Sequence, residues 1–315
     1  MHPSPFIQWL LSARTASIRL LTLTKLLDRS LHDIDVRALW GAMRASGPIP
    51  AILSHQTKTG NWTGERSYYT PKYTSTHWSM LLLTELAADP QDAHLKKGAL
   101  FMLGTTWDEL QDRLERKKHG WTCLWANLLR YAYYCQFQDD PRLRTVVEAL
   151  VFDALENEWR CPYNDEEPCA WGVVRTLWGL SAIDEERRNP QVQETIRSGL
   201  HFLLDDYHLK LADFPAPKEG HIHTLWFKLN FPLFYQSDIL FTLRVLAELK
   251  ALDHPSAQKA LDWLESLRKR DGHWRGSSPF ASRTWPSIGD REETDRWVSL
   301  HAALVLKAAG RNWLD

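Results

Sequence analysis

The chain has 315 residues, a formal net charge of −1 and 44% hydrophobic residues; this balance gives no electrostatic case for nucleic acid and supplies enough apolar side chains for a sizeable core. No run approaches the roughly 20 uninterrupted apolar residues that a membrane-spanning helix needs, and Phe6 to Leu11, broken by Gln8, is too short for a secretory signal. Cys123, Cys135, Cys161 and Cys169 therefore read as reduced thiols of a cytoplasmic protein; peripheral membrane contact stays open, as does the choice between monomer and homodimer.

Periodicity predicts helices along the whole chain. Ser4 to Asp28 is amphipathic and divides into two helices, and Asp33 to Ser46 and Ile49 to His55 add two more. Then follow Thr76 to Ala87, Gln91 to Thr105, Thr122 to Gln136, Arg142 to Trp159, Pro168 to Ile183, Val192 to Tyr207, Phe234 to Leu252, Ser256 to Arg270 and Asp295 to Ala309. Four breaks, Asp89-Pro90, Asp140-Pro141, Asn189-Pro190 and His254-Pro255, each start a helix, because Asp or Asn caps an N-terminus and Pro is tolerated in the first turn. They recur at intervals of roughly 50 to 65 residues, as helical hairpins do when they bury their apolar faces by stacking. The first, third, fifth, seventh and ninth of these helices are apolar, whereas the others carry charge at helical spacing. Buried helices covered by amphipathic ones make two concentric layers. We expect an all-α fold: a single α/α toroid over residues 56–315, with residues 1–55 as an N-terminal helical extension packed on it.

Tryptophan is the compositional outlier, with 16 copies. Trp62, Trp78, Trp121, Trp125, Trp171, Trp226 and Trp297 stand at or just before helix starts. Taken singly, each fills core; taken together, they line a cavity suited to an apolar ligand or to a carbocation held by cation–π attraction.

Gln56-Thr-Lys-Thr-Gly60-Asn-Trp62 fits the Q-x-x-x-G-x-W pattern of squalene and oxidosqualene cyclases, and Arg270-Asp-Gly272-His-Trp274 is similar to a second copy without the Gln. Gly120-Trp121 and Glu158-Trp159 fall at equivalent places. The chain thus resembles the terpenoid cyclase and protein prenyltransferase toroid superfamily. Pro71-Lys-Tyr73-Thr-Ser-Thr-His77-Trp78, Cys123 to Asn127, Pro168 to Gly172, Phe231 to Asp238 and Asp295 to Leu300 look like stand-alone bacterial squalene cyclase-like proteins. The resemblance implies an α/α toroid that handles isoprenoids.

Two features depart from that pattern. The acidic Asp-x-Asp-Asp motif of protonating cyclases is absent, since Asp139-Asp140 follows Phe137-Gln138 and reads as a cap. The zinc site of prenyltransferases resembles Asp-x-Cys plus His, but here Asp165 and Cys169 are four apart, with His301 on the last apolar helix. We expect no metal and no cofactor.

Chemistry is therefore sought at helix N-termini, whose free N–H groups stabilise a thiolate or carboxylate. Cys123 and Cys169 open successive apolar helices, Asn127 lies one turn after Cys123, and Tyr235 and Asp238 open the next. A carboxyl buried among aromatics has a raised pKa and suits an acid, so Asp238 or the run Asp165 to Glu167 is the candidate acid. Tyr73, Tyr235 and Asn127 would orient substrate, while Trp62, His77, Trp78, Trp125, Trp171, Trp226 and Trp297 would line the pocket. For each the bland alternative is a packing or capping role, and His221 and His223 in Gly-His-Ile-His read as a surface loop. The expected function is acid/base processing of an isoprenoid: cyclisation, isomerisation, hydration or dehydration. The alternatives are a non-catalytic binder of an apolar ligand, a prenyltransferase-like enzyme and a glycan-processing toroid.

Overall fold

The computed structural model describes residues 4–63, 67–209 and 223–314. They form helices and no strand, with only two isolated bridges, Arg160 to Pro168 and Asn230 to Ser277, among the described residues. The all-α class expected from the sequence is the class observed. None of the described helices is long and apolar enough to cross a membrane.

In chain order the helices are α1 Pro5–Leu11, α2 Ala16–Leu21 with a π-helical turn Thr22–Leu26, α3 Ile34–Ala45, α4 Pro48–Leu53, α5 Thr76–Glu85, α6 Ala93–Thr105, α7 Trp107–Glu115, α8 Thr122–Tyr134, α9 Arg142–Leu155, α10 Ala170–Ser181, α11 Pro190–His201 with a π-helical turn Phe202–Asp206, α12 Ile239–Glu248, α13 Pro255–Ser266 and α14 Arg291–Ala308. Asn189 and His254 cap α11 and α13 as expected, accepting from the N–H of Val192 and Ser256. The Asp89-Pro90 break differs: Asp92 is the cap of α6, accepting from His94 and Leu95, while Asp89 accepts from Gln91 and pairs with Arg44. Helix α7 was not expected, because its charged sequence buries only Leu110 and Arg113. Helix α12 starts at Ile239 rather than near Phe234, since the residues before it form a loop anchored by Asp238.

The apolar helices pack in sequence, α5 on α8, α8 on α10, α10 on α12 and α12 on α14. They run in one direction. Thr122 at the start of α8 lies beside Gly172 at the start of α10, and Ser181 at the end of α10 bonds Glu248 at the end of α12 at 2.6 Å. Helices α6, α9, α11 and α13 pack on the outside of α5, α8, α10 and α12.

The N-terminal segment is a member of this order. Thr15 and Arg14 donate backbone N–H groups to Glu293 at 2.9 and 3.2 Å, and Lys307 donates to the carbonyls of Lys25 and Leu26. Start meets start and end meets end, so α2 runs parallel to α14 as one more apolar helix. From α2 the packing passes through α3 and α4 to α5. The order is a circuit.

The two Gly-x-Trp segments are clasps. Trp62 donates its indole N–H to Ile52 O and its backbone N–H to Thr76 Oγ1; Trp274 does the same with Leu264 O and Ser299 Oγ. In both, the indole reaches the carbonyl ten residues earlier. Gln56 adds bonds to Gly60 O and His94 O, tying the clasp to α6. Gly60 has φ +96° and a Cβ there would lie 2.8 Å from Lys97 O, whereas Gly272 has φ +79° and open space.

Gly272→Ala should therefore cost about 1 kcal/mol from backbone conformation alone, and Gly60→Ala about 2 to 3 kcal/mol because strain and overlap add. Urea unfolding of the two variants checks this; equal losses would contradict the clasp geometry.

Candidate functional site

The segments that lead into the apolar helices meet at one end of the circuit. Tyr69 lies edge-on to Trp121 and Trp78 with ring centroids at 5.0 and 4.8 Å, and Trp121 meets Tyr163 at 5.3 Å. Tyr235 is 5.9 Å from Trp171 and 6.0 Å from Trp78. The Lys72 ammonium stands over Tyr235 at 4.9 Å and Tyr69 at 5.6 Å. Tyr69, Lys72, Trp121, Trp171 and Tyr235 are all half-buried, so four separate segments build one accessible aromatic face.

Three thiols lie in this face, each half-buried: Cys123, Cys161 and Cys169. The Arg160–Pro168 bridge is flanked by bonds from Cys161 N to Glu167 O and from Cys169 N to Trp159 O, which puts both cysteine side chains on the same side of the hairpin. Cys169 caps α10 through Gly172 N and its thiol hydrogen-bonds Cys161. That bond holds the Cys161 pKa down at about 7, against the effect of burial. Burial pushes Cys123 up to about 12. Cys135 is buried elsewhere, against α6.

Beneath the face is a polar floor. Asn127 donates to Phe234 O at 3.3 Å, Arg175 Nη2 donates to Gln236 O, and Gln236 donates to the Tyr73 hydroxyl at 3.3 Å. The Tyr235 hydroxyl joins this network through Tyr73 and Gln236, and burial, chiefly, raises its pKa to about 12. His77 meets the Tyr131 hydroxyl at 3.3 Å and is held neutral, its pKa pushed down to about 3 by burial and by the Arg175 charge. Asn127, Arg175, His77, Gln236 and Ser237 are all buried.

Asp238 has another task. One oxygen accepts from Phe241 N at 2.7 Å, capping α12, and the other accepts from Asn230 N and Asn230 Nδ2, both at 2.8 Å. Burial raises its pKa to about 6, yet the carboxyl serves the loop that carries Tyr235 and Gln236 instead of pointing at the aromatic face. Asp165, with Glu166 and Glu167, is exposed on a turn, so this run does not supply a buried acid. Asp153 fixes the approach to α8, accepting from Gly120 N and the Thr122 hydroxyl.

The tryptophans expected to line one pocket divide three ways. Trp62 and Trp226 donate their indole N–H groups to backbone carbonyls and belong to packing. Trp78, Trp125 and Trp297 are fully buried, Trp297 stacked on Phe231 at 4.4 Å. Trp121 and Trp171 reach the accessible face, and exposed His223 lies 5.3 Å from Trp171; His221 lies outside the described residues. Arg175, Gln236, Ser237, Tyr69 and Cys161 were not singled out from sequence as site residues. Arg175 had a signal, being a lone charge in the apolar run Val173 to Leu180.

Alkylation by iodoacetamide should be fastest at Cys161, with its rate rising through about pH 7, and Cys169→Ala should move that rise upward toward an ordinary thiol near 8.5. Peptide mapping reads both; equal rates at Cys161 and Cys123 would contradict the pairing.

Stability should show a matching pattern with pH. Burial raises Asp153 and Asp238 to about 6 and lowers His77 and His301 to about 3. As pH falls from about 6 to 4 the folded carboxyls bind protons and add stability, while the imidazoles, which charge only on unfolding, remove it. Below about 4 the carboxyl gain is complete. The imidazole loss continues, joined by Glu85, which burial would raise but Arg244 holds down at about 2. The urea midpoint should change little from pH 6 to 4 and fall steeply below; a steady decline from pH 6 would contradict these assignments.

No protein-family model, curated protein or solved structure matches the chain.

Proposed function

We propose that the protein is a cytoplasmic, terpenoid cyclase-like enzyme whose helices close into an α/α toroid and which binds an isoprenoid chain against its aromatic face. The observation that carries this reading is the face itself: Tyr69, Trp121, Trp171 and Tyr235 come from four segments, stay half-buried and present ring edges and faces to one place. Such a surface suits a flexible apolar chain, and its π-electrons suit a cation developing on it. The reaction class is proton transfer to or from that chain. The titratable pair that reaches the face is Cys161 with Cys169, whereas Asp238 acts at one remove by holding the Tyr235 loop.

A second reading, a non-catalytic carrier of an apolar ligand, is favoured by one observation. Both oxygens of Asp238 are occupied by N–H donors, so this carboxyl presents no free acid.

Titration with farnesol, followed by intrinsic tryptophan fluorescence, should give saturable quenching, weakened about tenfold in Tyr235→Ala. Absence of saturable quenching would contradict both readings. A new product on incubation, lost in Cys161→Ala, selects the enzyme; farnesol recovered unchanged selects the carrier.

A further inference from the structure

Three successive apolar helices each carry one arginine on a buried or half-buried face: Arg130 on α8, Arg175 on α10 and Arg244 on α12. Two of them meet carboxylates. Arg130 pairs with Glu248 through bonds of 2.7 and 3.0 Å, and Arg244 with Glu85 through bonds of 2.8 and 3.0 Å. Arg175 is 0% exposed and meets no carboxylate among the described residues. Its Nη2 donates to the Gln236 carbonyl, and its Nε and Nη1 have no acceptor.

A desolvated guanidinium without a counter-charge is strongly unfavourable. Phe241 and Trp178, with ring centroids 4.0 and 5.3 Å from the guanidinium carbon, supply cation–π attraction but no anion. Burial lowers the Arg175 pKa to about 9, so the charge persists at neutral pH. The unpartnered donors are not confined to Arg175. Ser237, next to Gln236, has a buried hydroxyl without a partner, and His77, whose imidazole senses the Arg175 charge, has Nε2 without one. With Nδ1 facing the Tyr131 hydroxyl, the neutral ring can carry its proton on Nε2.

We propose that Arg175, Ser237 and His77 form a subsite for a carboxylate at the end of the ligand's apolar chain. The inference deepens the reading of the preceding section and rests on it. Charge decides the class: Arg175 is a single buried cation in no ion pair among the described residues and matches a monoanion, whereas the several negative charges of a diphosphate would call on Lys72 and Arg283, which stand over the Tyr235 and Tyr73 rings. Position agrees with this. Gln236, whose carbonyl Arg175 holds, follows Tyr235 in the chain, so the subsite lies directly behind the face that would take the apolar portion.

The test compares farnesoic acid with farnesol by calorimetry at pH 7.5, one chain with two heads. The acid should bind about tenfold tighter than the alcohol, the effect of charge-assisted hydrogen bonds. Arg175→Met should bring the ratio of acid to alcohol affinity to about one, and Ser237→Ala should remove about threefold of the preference. Should Arg175→Met not fold, the wild-type comparison and Ser237→Ala still decide. Equal affinities for acid and alcohol would overturn the carboxylate subsite and leave the isoprenoid reading standing. Binding of neither would remove that reading and the subsite with it.

Discussion

The arrangement of the site depends on the carboxylate of Asp238. It takes three N–H groups at 2.7 to 2.8 Å, one from the first turn of α12 and two from Asn230. These bonds fix both ends of the loop that runs from Asn230 into the helix. Three polar contacts of the floor then use a carbonyl or side chain of that loop: Asn127 bonds Phe234 O, Arg175 bonds Gln236 O, and Gln236 bonds Tyr73. Ser277 and Ser278 hold its first residues from the other side, through Asn230 Oδ1 and Phe231 O. Because a buried polar group left unmet costs about 1 to 3 kcal/mol, loss of this one carboxylate would leave three N–H groups of the loop and the helix start without their acceptor.

The opposite end of the apolar helices is held by charge. Glu85 and Arg244 join α5 to α12, while Arg130, Ser181 and Glu248 join α8, α10 and α12. Paired and bidentate, these groups satisfy one another in a poorly solvated place. The two ends therefore differ in kind. One is closed by matched ion pairs, and the other keeps donors unmet around Arg175 beneath a half-buried aromatic face.

Much of the fold was legible because helices declare themselves by period and punctuation. The alternation of apolar and amphipathic segments gave the buried helices and the ones that pack on them, and Asn189-Pro190 and His254-Pro255 gave true caps. Asp89-Pro90 misled by three residues because Asp92 offers an equally good cap, and α7 was hidden because a helix that buries two side chains has almost no apolar period. The site was less legible. Cys123, Asn127, Cys169 and Tyr235 were picked from their places near helix starts, and the structure puts all four toward that end of the apolar helices. Asp238 was also found by position, but its role depends on Asn230, eight residues earlier and in a loop whose path no periodicity describes. Arg175 was passed over although a lone charge in an apolar helix marks it, since sequence does not say which of Arg130, Arg175 and Arg244 will find carboxylates.

The central claim is that Asp238 organises the loop, and the loop organises the site. Hydrogen–deuterium exchange of Asp238→Ala against the wild-type protein tests it most directly. The expected result is loss of protection confined to residues 229–241 and the segments in contact with them, 69–77 and 277–284, with α6, α9, α11 and α13 unchanged. Uniform loss of protection across those outer helices, or no change in the loop, would contradict the account.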